Sequence, residues 1–169
     1  EIMIESSPIM IYFKDTQNRF TRVNKAFLEQ TGLKKEEIEG KSDEEINPRQ
    51  AAQFLREDQE IVATGKPKIG TVETIKTRKG AKILRTDKVP YRDKQGNIIG
   101  IIGFSVDITE QKKAQDALQA SEVRYRSLVE NAQEGIYQTT VDGKFITVNN
   151  GFAKIYGYDS VQEVLESIT

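Results

Sequence analysis

Cysteine and histidine are both missing from the 169 residues, and tryptophan is missing with them. Without a thiol there is no disulfide, thiolate nucleophile, thiolate metal site or cysteinyl photoadduct. Without an imidazole the usual general base, the commonest metal ligand and the usual haem ligand are gone. G-x-S-x-G, Walker-type and G-x-G-x-x-G motifs are absent too. No apolar run approaches the roughly 18 residues that span a bilayer, and no signal peptide is visible. Charge of one sign is equally scarce. Lys and Arg number 25 against 26 Asp and Glu, and no basic block offers a footprint for nucleic acid or anionic lipid. Carboxylates alone could serve a magnesium site or a glycosidase-like pair. Here they are scattered over amphipathic segments and read as solvated surface. These deficits argue against an enzyme, so no catalytic residue and no metal ligand is expected.

What is present is a soluble composition, 37% hydrophobic and 30% charged, and an internal repeat. Phe20-x-x-Val23-Asn24-x-x-Phe27 recurs as Phe145-x-x-Val148-Asn149-x-x-Phe152, an interval of 125 residues. The same interval relates Glu5 to Glu130, Ile11 to Ile136, Tyr12 to Tyr137 and Gly32 to Gly157. It is too long for a solenoid, so two related domains in tandem are expected, the second present only as residues 130–169.

Ile9, Ile11 and Phe13 alternate with Met10 and Tyr12, which predicts an apolar strand covered on both faces. Lys14 to Asn18 forms a turn. Asn18 stands where the second copy has Gly143, and both residues tolerate positive φ. Residues 19–23 return as a strand. Asn24 then has the type and place of a helix N-cap, with Gly32 as the stop. A short helix follows at Lys34 to Ile38. Asn47-Pro48 opens a longer one, whose Ala51, Phe54, Leu55, Ile61 and Val62 form a core stripe up to Gly65. Strands at 69–77, 81–90 and 97–108 are joined by turns at Arg78-Lys79-Gly80 and Arg92 to Gly96, as in an antiparallel meander. Strands at both ends with helices between predict an α+β domain around one antiparallel sheet.

Ser7-Pro8, Arg19-Phe20, Val23-Asn24-Lys25-Ala26-Phe27, Thr31-Gly32, Glu36-Glu37 and Gly40-Lys41-Ser42 follow one another in this order. After them come Thr64-Gly65-Lys66-Pro67, Lys88-Val89-Pro90, Asp93-x-x-Gly96-Asn97-Ile98-x-Gly100 and Asp107-Ile108-Thr109-Glu110. Together they resemble the PAS sensory domains with their C-terminal PAC segment. The resemblance implies a five-stranded antiparallel sheet in order 2-1-5-4-3, helices on one face and a cavity between. It divides the chain into a complete sensory domain (1–108), a connector or signalling helix (109–130) and the N-terminal half of a second PAS domain (131–169). It implies an input module of a larger two-component regulator, most often a sensor histidine kinase, relaying ligand or partner state through the C-terminal helix. A ligand-free dimerisation or protein-interaction domain, or the input domain of a diguanylate cyclase, are the alternatives.

The family's best known cofactors do not suit this sequence. Flavin and cinnamate adducts need a cysteine, and haem sensors use a histidine. None of these cofactors is expected; non-covalent flavin would have to stack on Tyr or Phe. A small organic ligand, or none, remains. Its contacts would come from inward positions of sheet and helices, with Tyr12, Asn24, Phe27, Thr71, Glu73, Arg85 and Ser105 as candidates. A buried Arg85 would favour a carboxylate ligand; an exposed one would pair with an acidic neighbour. For Asn24, structural capping is the competing role.

Asp107-Ile108-Thr109-Glu110 has the spacing of a capping box, with Asp107 or alternatively Thr109 as the cap. Beyond it Ala114, Leu118, Ser121, Tyr125 and Leu128 follow the 4-3-4-3 spacing of a short coiled-coil seam. In PAS domains this Asp-Ile-Thr motif resembles the junction where sheet distortion becomes helix movement, so the resemblance implies Asp107, Thr109, Glu110, Leu118 and Tyr125 as transmission residues. The expected partners are a second copy in a homodimer and a downstream kinase or other output domain in the same polypeptide. Nucleic acid and direct membrane contact are not expected. The segment is expected in the cytoplasm, whether or not its parent is membrane-anchored. With Phe145 and Phe152 left uncovered, residues 130–169 are expected to associate with another chain or to be poorly ordered.

Overall fold

A computed structural model describes residues 2–167. The chain divides into two compact units, residues 1–112 and 113–169.

The first unit opens with a short helix, α1 (Ile2–Glu5), and a hairpin of β1 (Met10–Asp15) and β2 (Phe20–Val23). The hairpin turns because Asn18 takes the left-handed conformation, φ 63°, while Asp15 Oδ1 accepts from the amides of Gln17 and Arg19. Gly143 takes the same region, φ 89°, in the second unit. Then come α2 (Lys25–Thr31), a 3₁₀ turn (Lys35–Glu37), α3 (Asp43–Ile46) and α4 (Pro48–Thr64). Pro48 starts α4 as expected, but the Asn47 side chain does not cap it; its amide donates to Gln50 instead. α3 has no counterpart among the expected helices. It is a single turn in which the Glu45 carboxylate accepts from the Ser42 amide (2.9 Å), too short to carry a periodic signal.

The meander β3 (Lys68–Thr77), β4 (Gly80–Arg92) and β5 (Ile98–Asp107) completes a five-stranded sheet in order β2-β1-β5-β4-β3. Every neighbouring pair is antiparallel. The α+β class and the strand order thus agree with expectation. Tyr12, Phe20, Val23, Ile38, Ile61 and Ile101 form the buried centre, with Phe27, Leu28, Leu33, Ile46 and Val62 packed around it. Fully burying each large apolar side chain contributes about 1.5–3 kcal/mol.

The second unit contains most of α5 (Thr109–Asn131), a hairpin of β6 (Tyr137–Thr139) and β7 (Phe145–Val148), then α6 (Asn150–Ile155) and α7 (Val161–Ser167). Val148, Phe152, Ala153 and Val164 form its own small core, flanked by Phe145, Tyr158, Val161 and Leu165. Phe152 is therefore covered rather than bare, because α7 lays its apolar face against the β6–β7 hairpin. The apolar surface that does remain includes Tyr137, Val141, Ile146 and Tyr156.

Candidate functional site

Alternation along the strands sends Met10, Tyr12 and Lys14 of β1 toward the helices, with Leu84, Thr86 and Lys88 of β4 and Ser105 of β5. Between them and the helices lies a cavity of about 380 Å³. That is within the size range of small-molecule sites. Its walls are largely aromatic and aliphatic, including Phe20, Phe27, Phe54 and Ile75.

Its charged side is a buried ionic network. Lys14 Nζ donates to Asp43 Oδ2, to Asp58 Oδ2 (2.8 Å) and to Asn18 Oδ1 (3.2 Å). Lys88 Nζ donates to Asp58 Oδ1 (2.8 Å) and Glu57 Oε2 (3.1 Å), and Lys68 reaches Glu57 Oε1 (2.8 Å). Asp58 thus gives one oxygen to each buried lysine, tying α4 to both β1 and β4. The ammonium groups also sit over rings, Lys14 over Phe20 (4.7 Å) and Lys88 over Phe54 (5.2 Å). Burial opposes ionisation of Glu57, yet the bonds from Lys68 and Gln53 and the charge of Lys88 hold its carboxyl down at about 2. Burial likewise opposes the charge on Lys88, but Asp58 and Glu57 raise its pKa above the ordinary value. These carboxylates are not the solvated surface that their scatter along the sequence suggests. α4 turns Glu57 and Asp58 inward with Phe54 and Ile61, and only the strand lysines make that burial tolerable.

A second polar chain crosses the sheet. Thr86 Oγ1 donates to Glu73 Oε1 (2.9 Å) and lies 2.8 Å from Ser105 Oγ. Burial pushes the Glu73 carboxyl up, against the Thr86 hydrogen bond and the charge of Lys88. Its Oε2 is sealed inside the protein without a partner among the described residues.

Tyr12, Phe27, Glu73 and Ser105, four of the sequence candidates, meet at this cavity. Thr71 shares the Glu73 side of β3 and pairs in register with Thr86, but it does not line the cavity. Arg85 is exposed. It falls between inward Leu84 and Thr86 and therefore points to the opposite face, so it cannot hold a carboxylate in the cavity. Asn24 is fully buried and fully occupied by structure. Its Oδ1 accepts from the amides of Ile11 (2.9 Å) and Phe27 (3.0 Å), and its Nδ2 donates to the carbonyls of Ile4 (3.0 Å) and Ile9 (2.9 Å). Asn149 repeats this with Ile136, Phe152, Val129 and Glu134, every partner at the interval of the sequence repeat. The ring cluster repeats as well: Tyr12, Phe20 and Phe27 correspond to Tyr137, Phe145 and Phe152.

At the end of β5, Asp107 is not the residue immediately before the helix. α5 starts at Thr109, and its first intrahelical bond runs from the Lys112 amide to the Ile108 carbonyl (2.8 Å). Asp107 Oδ1 instead accepts from the Thr109 amide (3.0 Å) and hydroxyl, and its other oxygen holds Lys82, which also reaches Gln30 of α2. Burial works against the Asp107 carboxylate, but Lys82 and Thr109 lower its pKa below the ordinary range. Thr109 Oγ1 accepts from the Ile83 amide (2.9 Å), and the Ile108 amide donates to the Ile83 carbonyl (2.9 Å). Two hydrogen bonds thus join the start of α5 to β4. Glu110 lies in the first turn of α5, while Leu118 and Tyr125 are exposed along it, at 62% and 70%.

The family model described as PAS fold matches residues 4–113, and the one described as PAS domain matches residues 123–169. The chain belongs to the PAS family. This PAS chain is similar to the methanogenesis regulatory histidine kinase FilI of Methanothrix harundinacea, at 31% identity over 113 residues. The aligned part is 66% of this chain and 13% of that protein. It is also similar to the aerobic respiration control sensor protein ArcB of Escherichia coli, at 27% over 117 residues, 69% of this chain and 15% of ArcB. Among solved structures, Vibrio cholerae VqmA matches with a TM-score of 0.59 at 29% identity, covering 65% of this chain and 52% of VqmA. The PAS domain from Bordetella pertussis BvgS shares the fold, with a TM-score of 0.59 at 24% identity over 73% of this chain and 93% of that one. The PAS chain spans only 13–15% of the length of FilI and ArcB. Among the described residues, no helix is long and apolar enough to cross a membrane.

Proposed function

We propose that the first unit is the input module of a sensor histidine kinase or related regulator, and that its cavity takes a small organic ligand. Occupancy is passed through α5 to an output domain of a homodimeric parent. The observation that carries this is the continuity from cavity to helix. Leu84 and Ser105, at the cavity, lie on β4 and β5, and the ends of these same strands hold α5 through Ile83, Asp107 and Thr109. A ligand that displaces β4 against β5 changes the register in which α5 leaves the sheet. The exposed Leu118 and Tyr125, with Leu128, supply a seam for a second copy of the helix. The likeness to FilI, named a histidine kinase, supports the kinase assignment. With neither Cys nor His in the chain, the ligand is held without a cysteinyl adduct or an axial histidine.

Native mass spectrometry of the purified chain is expected to show a small molecule bound. One residue inserted after Lys113 in the full-length parent is expected to alter kinase output and leave ligand affinity unchanged. Unaltered output with the insertion refutes transmission through α5.

A further inference from the structure

Tyr12 carries a polar group that nothing in the fold uses. The residue is 7% exposed and lines the cavity. Among the described residues its hydroxyl makes no hydrogen bond. Among the described residues, the sealed side-chain oxygens without a hydrogen-bond partner are Glu39 Oε1 and Glu73 Oε2; the Tyr12 hydroxyl is not one of them, because it fronts the cavity.

The group is also held rigidly. Its ring packs edge-on to Phe27 (5.8 Å) and tilted against Phe20 (5.6 Å). On the sheet side it lies across Gly103. A Cβ at Gly103 would come within 2.0 Å of Tyr12 Cζ and 2.4 Å of the hydroxyl oxygen, so β5 gives up a side chain to seat this ring. An unpaired hydroxyl fixed among apolar walls costs stability, and a ligand that completes its hydrogen bond recovers that cost.

The surrounding charges decide what the partner is. All three Lys14 protons are taken by Asn18, Asp43 and Asp58, and Lys88 is held by Glu57 and Asp58. The other cations along the cavity, Lys76 and Arg78, are exposed, and Arg78 is paired with Glu37, so among the described residues no buried cation is left over to neutralise an incoming anion. After burial, the charges of Asp58, Glu73, Asp43 and Glu57 reinforce retention of the phenol proton. The hydroxyl is therefore a donor, and an anionic ligand would meet the same four carboxylates. A cation could use the hydroxyl only as an acceptor, and it would sit beside the Lys14 ammonium, which lies 5.5 Å from the Tyr12 ring centroid and already answers Asp43 and Asp58.

We propose that the Tyr12 hydroxyl donates to the carbonyl oxygen of an uncharged small organic ligand, an amide or ketone whose apolar body packs on Phe27, Phe54 and Leu84. This rests on the cavity being the sensing site. The test is calorimetric titration and thermal unfolding of the 169-residue chain with three matched probes: 2-phenylacetamide, phenylacetate and 2-phenylethylamine. The wild type is expected to bind the amide at least ~10-fold tighter than either charged probe. Tyr12→Phe is expected to lose roughly tenfold in amide affinity, the worth of one good hydrogen bond. The unliganded variant should melt at or above the wild-type temperature, since an unpaired buried hydroxyl has gone. A merely structural Tyr12 would give a lower melting temperature instead. Equal amide affinity in wild type and variant, preference for a charged probe, or loss of unliganded stability overturns the proposal. Tight binding of a charged probe would do so while leaving the cavity as a sensing site. If all three probes fail and native mass spectrometry shows no small molecule, both fall.

Discussion

Replacing Asp58 by alanine tests whether the ionic network holds the sheet and α4 together. The Asp58 side chain is 5% exposed and makes two 2.8 Å ion pairs, one to Lys14 and one to Lys88. Removing one member of a buried ion pair costs about 3–5 kcal/mol, because the charge left behind stays desolvated. Here Lys14 keeps Asp43 and Lys88 keeps Glu57, so the loss belongs at the low end, about 3 kcal/mol. For a unit of 112 residues each kcal/mol lowers the midpoint by about 4 °C, which puts the shift at roughly 12 °C. Thermal and urea unfolding of the whole chain, followed by circular dichroism, reads it directly. Glu45→Gln is the control, since its partners Arg19 and Lys41 are about half exposed and the substitution should barely move the midpoint. A loss below ~1 kcal/mol for Asp58→Ala would place the network with ordinary surface pairs and refute the reasoning.

Asn24→Ala should cost at least ~3 kcal/mol, since it removes a helix cap and strands two amides and two carbonyls. A urea midpoint close to wild type would rule out the latch. Glu73→Gln should stabilise the chain at neutral pH. The folded carboxyl has a raised pKa, so wild-type stability falls as pH rises from 4.5 through the folded value, and the variant lacks that fall. Glu57 works oppositely: its contribution is present above 4.5 and lost as pH drops toward about 2. Melting temperatures of wild type and Glu73→Gln between pH 4 and 8 check the sign; parallel curves would contradict it.

The sheet was legible because its strands are long and bounded by turns, and because the motif order resembles a known family. The expected strands at 69–77, 81–90 and 97–108 differ from the observed ones by at most two residues at any end. The ionic network was not read, because a lysine in a strand looks like surface until its parity is followed. Lys14 shares parity with Met10 and Tyr12, and Lys88 with Leu84 and Thr86. The same parity places Arg85 outside. Glu57 and Asp58 lie between the inward Phe54 and Ile61 at helical spacing, so the signal was present and hidden by residue type. Tyr12 was found from its strand position, but its unpaired hydroxyl and its seat on Gly103 depend on strands some 90 residues apart, and no local pattern encodes that.

The asparagine latch has a consequence for how the chain reaches this structure. Asn24 and Asn149 bind partners 20, 15, 13 and 3 residues away, so each latch closes a short loop. The central β1–β5 pairing joins Met10 to Ser105 and must wait for a far longer closure. The N-terminal half of a PAS domain is therefore expected to carry its own early nucleus, and the second unit forms the same latch with no strands equivalent to β3, β4 and β5 among the described residues. Substitutions at the latch should slow folding, whereas those at the β1–β5 seam should mainly hasten unfolding.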